Sequence, residues 1–411
     1  MSVTPENLLS LSGRNNVTFL RNLLHWTHTY GKIRDHIKYP ERVRKMVVYQ
    51  FLFSRGLFKK ILAGFLAALM LLLCGCGDTD QATSSSVPTQ DESATVGSTQ
   101  CETKETGKLT QIVYRYAAKS EGASLLLSNQ KYYDGFSQND LDYRMQKNHA
   151  GMEDYLAFVP EQVLDFTEDE KALIDSCFAS MNKTLTEKGY TLPQLDEVVL
   201  IKTTTKEEAD AVAYTHGTQI YIGEYLLNET LSAEGEEKEE WIAIMYEVLW
   251  HELFHCLTRC NPDFQVKMYD LIHFTITDKD FTLPASVMEY HISNPDVEHH
   301  NSYATFRIDS KDIDCFVDWV TTKHFEKEGE IFFDFTTTAL IPIDGTDIYY
   351  TPEQAENFDE VFGKNTDYVT DPEECMADNF AGAILYGVDG PDGEGYPSPE
   401  IIEGILAILK A

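Results

Sequence analysis

Positive charge is what this sequence has least of. Its 411 residues carry 33 Lys/Arg against 67 Asp/Glu, a formal net charge of −34. So acidic a chain repels a phosphate backbone, which argues against nucleic acid as a partner. Long hydrophobic runs are missing as well. The apolar run Ile61–Leu73 spans 13 residues, fewer than the ~20 that a helix needs to cross a bilayer. Cysteine occurs eight times, at 74, 76, 101, 177, 256, 260, 315 and 375, without the paired short spacings of a cysteine zinc site. Cys256 and Cys260 stand one helical turn apart and, with no second pair, read as packing residues. There is no convincing internal repeat. Nor is there the strand–helix alternation that builds the two lobes of a solute-binding protein. What is present suits a globular chain: 43% hydrophobic, 24% charged, and long enough for a large core.

The sign of the charge changes along the chain. The first 60 residues hold 11 Lys/Arg against 3 Asp/Glu, about +8, which leaves about −42 on the remainder. The change falls at "SRGLFKKILAGFLAALMLLLCGCGDTD". Arg55, Lys59 and Lys60 precede the apolar run, and Cys74-Gly75-Cys76 follows it. A basic flank and a short apolar stretch are the parts of a secretory signal. Leu73, three before Cys76, and Gly75, immediately before it, resemble a bacterial lipobox. The resemblance implies cleavage before Cys76 and a lipid on its thiol, anchoring the chain to the extracytoplasmic face of the bacterial cell membrane. The expected layout follows. Residues 1–45 are a spurious or non-structured extension, 46–75 a lipoprotein signal peptide, and 76–107 a flexible tether rich in Ser, Thr, Gln and Glu. The folded domain is 108–411.

Within that domain the pattern predicts a helix from Thr167, where Leu173, Ile174, Cys177 and Met181 recur at helical spacing before Gly189. "EVVLIKT" from Glu197 predicts a strand. "AVAYTHGTQIYIG" from Ala211 predicts a hairpin turning near His216-Gly217, with a second strand Thr218–Ile222. A long helix then carries "LWHELFHCLTRC", stopped by Asn261-Pro262. His251 and His255 are four apart, so both imidazoles face one side of that helix. Zinc suits two imidazoles and a carboxylate with one position left open. Glu252 projects beside them, placed to take a proton from water and hand it to a leaving amine. Chance supplies roughly 0.03 such HExxH patterns in a chain of this composition.

The third ligand decides the family. The metzincin pattern fails, because Thr258 stands at its Gly position and Asn261 at its last His position. "DPEECMADNFAGAILYG" offers Glu374 and Asp378 in an ExxxD. With HExxH before it, this resembles the gluzincins, the thermolysin-like zinc metallopeptidases. The resemblance implies one Zn2+ held by His251, His255 and Glu374, with Asp378 hydrogen-bonded to a ligand histidine, His251 the expected one. Asp371 and Pro372 are helix-start signals, and Met376, Phe380 and Ile384 form an apolar stripe behind them. Other readings stay open. Asp371-Pro-Glu-Glu374 is itself a capping-box pattern. A second ExxxD, Glu330 to Asp334, lies in an aromatic, strand-like stretch. Glu289 and His273 stand nearer His255 in sequence. From His255 to Glu374 is 119 residues, so the segment between must fold as an insertion and bring Glu374 back.

On the substrate side, zincins pair substrate with an antiparallel edge strand, and the resemblance points to Thr218–Ile222. His299, His300 and Tyr303, in "NPDVEHHNSY", are candidates for oxyanion or substrate contact. The expectation is an α+β, zincin-like domain with a mostly antiparallel sheet, acting as a lipid-anchored zinc metallopeptidase on a peptide or protein substrate. The rival reading is a catalytically inactive surface-binding lipoprotein with the same kind of fold.

Overall fold

The computed structural model describes residues 108–411. The expected extension, signal peptide, Cys76 and tether lie outside the described residues. The domain is mixed α/β, with helices beside two main sheets. No helix among the described residues is long and apolar enough to cross a membrane.

The first sheet has five strands: β1 (Tyr114–Tyr116), β2 (Val163–Leu164), β3 (Val198–Thr203), β4 (Ala213–His216) and β5 (Gln219–Gly223). Its order is β1-β3-β5-β4, with β2 also on β3. β1, β3 and β5 run parallel, while β4 and β2 are antiparallel to their neighbours. The β4–β5 hairpin turns at Gly217, whose φ of +57° suits glycine. Hence Thr218–Ile222 is not an edge. Thr218 lies in the turn, residues 219–222 lie in β5, paired on both sides, and β4 is the edge strand. The last strand before the motif helix went inward because a parallel partner, β3, closes its other side.

Helix α1 (Gln138–Met145) and helix α2 (Glu168–Lys188) come from the first half of the domain. α2 starts on a Thr167/Glu170 capping box and ends at Gly189 in the left-handed region, as its sequence signals require. α3 (Glu236–Cys260) carries the HExxH residues. Its first turns are acidic. From Leu249 to Thr258 almost every side chain is buried, so this half is a core helix rather than a surface one. Asn261-Pro262 breaks it, and α4 (Pro262–Asp270) follows at once.

The segment between the two motifs builds the second sheet. Its strands are β6 (Thr275–Ile276), β7 (Ser302–Ile308), β8 (Lys311–Thr321) and β9 (Thr336–Pro342), in the order β9-β8-β7-β6, all antiparallel. Glu330–Asp334 is not a strand. It leads into a 3-10 turn, Phe332–Phe335, where packed aromatics replace sheet pairing. The chain then returns as α5 (Pro372–Tyr386), packed on α3 through Phe380 against Phe254 and Trp250. A closing helix, Pro399–Lys410, presents Ile401, Ile402, Ile405 and Leu409 to the core.

Candidate metal centre

The α3–α5 contact positions the site. His251 and His255 lie on one face of α3, with ring centroids 4.9 Å apart. Each is fixed through its Nδ1. His251 Nδ1 meets Asp378 Oδ1 at 2.9 Å, and Asp378 Oδ2 accepts from the Thr366 hydroxyl at 2.6 Å. His255 Nδ1 meets Glu373 Oε1 at 3.1 Å, and Glu373 also accepts from the Thr258 and Tyr269 hydroxyls. A carboxylate already accepting from hydroxyls accepts a further hydrogen bond from Nδ1–H, so each Nε2 is left to face the same place. That place is Glu374 Oε2, 3.0 Å from His251 Nε2 and 3.7 Å from His255 Nε2. The other oxygen of Glu374 accepts from Asn294 Nδ2 at 2.5 Å and from the Tyr368 hydroxyl at 3.3 Å.

His251, His255 and Glu374 thus form a group that can hold a metal ion. Donors ~2.0–2.1 Å from one tetrahedral ion stand about 3.4 Å from each other, and the two spacings to Glu374 bracket that figure. His255 Nε2 is buried with no hydrogen-bond partner, a costly arrangement for a nitrogen that no ion or proton uses. Burial pushes His255 well below the ordinary histidine value, which keeps that lone pair free. Burial opposes charge on His251 too, but its bonds to Asp378 and Glu374 outweigh this and hold its pKa well up. A proton on His251 Nε2 and a metal ion compete for one lone pair, so ion binding here releases a proton.

Glu252 is buried beside this group, its Oε2 accepting from the Thr215 hydroxyl at 2.7 Å. Burial raises its carboxyl to about 7, against the pull of His251 and the Thr215 bond. A carboxyl poised near neutrality both takes and returns a proton.

The alternatives weighed on sequence fall elsewhere. Glu374 does not turn back on the helix start. The Asp371 side chain caps α5 by accepting from the Glu373 amide. Glu330 pairs with Lys323, Glu289 with His324, and His273 is exposed. His299 bonds Asp280 at the surface, and Tyr303 lies in β7 against Phe281. His300 stands 3.9 Å from Asp318, in a second cluster with His291. None of the three touches the metal-holding group. The hydroxyl that does is Tyr368, kept protonated by burial and by neighbouring carboxylates. Glu373, Tyr269, Asn294 and Tyr368 escaped the sequence reading, and Thr258 entered it only to reject the metzincin pattern. Only Glu373, doubled beside Glu374 on a helix facing α3, offered a signal. A cavity of about 680 Å3 flanks the site, with Tyr132, His216, Arg259, Asn294, His300 and Asp318 in its wall.

No family model matches the chain, and no curated protein or solved structure matches it.

Proposed function

We propose that this chain is a zinc-dependent metallopeptidase of gluzincin type, lipid-anchored at Cys76 on the extracytoplasmic face of the membrane. One observation carries the reading: two histidine Nε2 atoms and Glu374 Oε2 converge, each Nδ1 being held by a carboxylate, with the Glu252 carboxyl alongside. His251, His255 and Glu374 hold the metal, and Asp378 and Glu373 orient the two rings. When bound, zinc supplies a Lewis acid that acidifies water and polarises the scissile carbonyl. Glu252 accepts the proton of the attacking water and passes it to the leaving amine. Thr215 fixes the Glu252 carboxylate for that transfer. Tyr368 is neutral, and its one O–H, held only at 3.3 Å by Glu374, turns to donate to the tetrahedral oxygen.

The rival, a catalytically inactive binding lipoprotein, draws support from the burial of Glu252, His255 and Glu374. Zinc content and peptidase assays on the purified chain separate the two. The expected result is one zinc in the parent, a large loss in Glu374→Ala, and full zinc in Glu252→Gln with hydrolysis of a mixed peptide pool lowered by about 10²–10⁴-fold. Equal hydrolysis by parent and Glu252→Gln overturns the peptidase reading.

A further inference from the structure

The outer edge of β4 is the place for an extended peptide to pair, and it is already taken. The Thr215 amide donates to Asp296 Oδ1 at 2.7 Å, and the Gly217 amide donates to Glu298 Oε1 at 3.0 Å. The other side of β4 is bound to β5, so the Thr215 amide is one that an added strand needs, and the Gly217 amide extends the same edge two residues on, at the turn. The loop that supplies the carboxylates also covers the metal-holding group. Asn294 donates to Glu374, and Asp296 Oδ1 stands 3.9 Å from His255 Nε2. Asp296, Glu252 and His255 place their polar atoms within 4.8 Å of one another. A second carboxylate therefore occupies the neighbourhood in which the base has to meet water.

The loop is fastened at two points. At its base, Ser293 donates to Asp140 and accepts from Arg144 at 2.6 Å, both of them buried. At its tip, Glu298 pairs with Arg259 at 3.2 Å, and Arg259, its side chain only 8% exposed, also donates to the Pro295 carbonyl. The base is locked by buried charge. The tip is held by the ion pair, by Arg259 and Lys131 donating to the Pro295 and Glu298 carbonyls, and by the two side-chain acceptors, all groups that another extended chain can replace. Removal of Glu298 leaves the Arg259 guanidinium buried without that partner, a cost that a second carboxylate offsets.

We propose that Asn294–Glu298 is an internal pseudo-substrate, displaced by an extended peptide that pairs with β4 and brings a carboxylate to Arg259. The proposal rests on the metallopeptidase reading and deepens it, naming acidic peptides as the preferred substrate class and a closed state as the resting form.

The test uses the full chain titrated with Co2+, whose visible absorption reports the ligands around the ion. The probes are tetrapeptide hydroxamates carrying Glu or Gln at each position in turn. In the parent, the best Glu probe is expected to perturb the cobalt spectrum at about tenfold lower concentration than its Gln counterpart. Glu298→Ala, which loosens the tip, is expected to bind Glu probes about tenfold more tightly than the parent does. Glu298→Gln keeps an acceptor for the Gly217 amide while removing the charge, and is expected to shift the same way should the alanine variant fold poorly. Probe affinities identical in parent and both variants overturn the pseudo-substrate while leaving the metal centre intact. Equal affinity for Glu and Gln probes overturns the acidic preference. A parent that gives no cobalt spectrum overturns the metal reading itself.

Discussion

Two histidine–carboxylate clusters lie in this domain, and they are built for different ends. In the α3–α5 cluster, each ring is held through Nδ1 by its own carboxylate, and both Nε2 atoms converge on Glu374. In the β8 cluster, His291 commits both nitrogens, Nδ1 to Asp318 Oδ2 at 2.7 Å and Nε2 to Ser293 Oγ at 3.1 Å. His300 reaches Asp318 only at 3.9 Å. Both clusters bring three polar atoms close together, so proximity does not distinguish them. Nor does an unpartnered nitrogen, since each leaves one buried, His255 Nε2 in the first and His300 Nδ1 in the second. The direction it faces does: His255 Nε2 is the nitrogen beside Glu374, at 3.7 Å, whereas His300 turns its other nitrogen toward Asp318, which His291 already holds.

Mutation is expected to pull the two apart, and the largest effect falls on stability in the β8 cluster. Asp318→Ala removes one member of a buried pair whose side chains are 4% and 7% exposed. The expected loss is about 3–5 kcal/mol in urea denaturation, with metal stoichiometry unchanged. A variant that keeps full stability but loses its metal would reverse the assignment of the two clusters. Next in size is the outer shell of the α3–α5 cluster. Glu373→Ala and Asp378→Ala each free a ring from its carboxylate and are expected to weaken metal affinity by about 10–100-fold in calorimetric titration. Affinity unchanged in both would show that the rings are not oriented by these bonds.

The same contrast explains what could be read from sequence. Helical periodicity placed His251 beside His255 and Glu374 beside Asp378, because four-residue spacing has one meaning on a helix. The hairpin at Gly217 and the capped α2 were legible for the same reason: each is a local rule obeyed by local residues. The register of β1 on β3 and of β3 on β5 was not, since parallel partners are distant in sequence and paired by packing. His291, His300 and Asp318 come from loops and a strand, where no spacing announces that they meet. Asn294, Asp296 and Tyr368 reach the metal-holding group from loops whose paths no periodicity sets. Thr258 is the sharpest case. On sequence it served only to reject the metzincin pattern. In the structure its hydroxyl helps hold Glu373, which in turn holds His255.

The smallest expected effect is one of pH, and it sharpens the reading of the second cluster as a dyad. His291 is buried, which disfavours its charge, but Asp318 outweighs this through both its charge and its hydrogen bond. Asp140 adds to the effect, and Arg144 opposes it. The folded pKa therefore lies above that of a free histidine, and the folded chain binds more protons than the unfolded one near neutrality. Stability from His291 is then fully present below ~6.5 and is lost as pH rises through the folded value. Asp318 works in the other direction. Burial raises it, yet His291 holds it below the ordinary carboxyl value, so its contribution is present above ~3.9 and is lost as pH falls through the folded pKa. His300, pushed down by burial, charges reluctantly in acid and subtracts there. The stability difference between the parent and Asp318→Asn should thus be greatest near pH 5–6 and shrink toward pH 8, by less than the loss expected for Asp318→Ala. Urea midpoints measured across that range test the sign. A difference that grows with pH would mean that His291 is neutral in the folded chain and that Asp318 is held by something other than a charged ring.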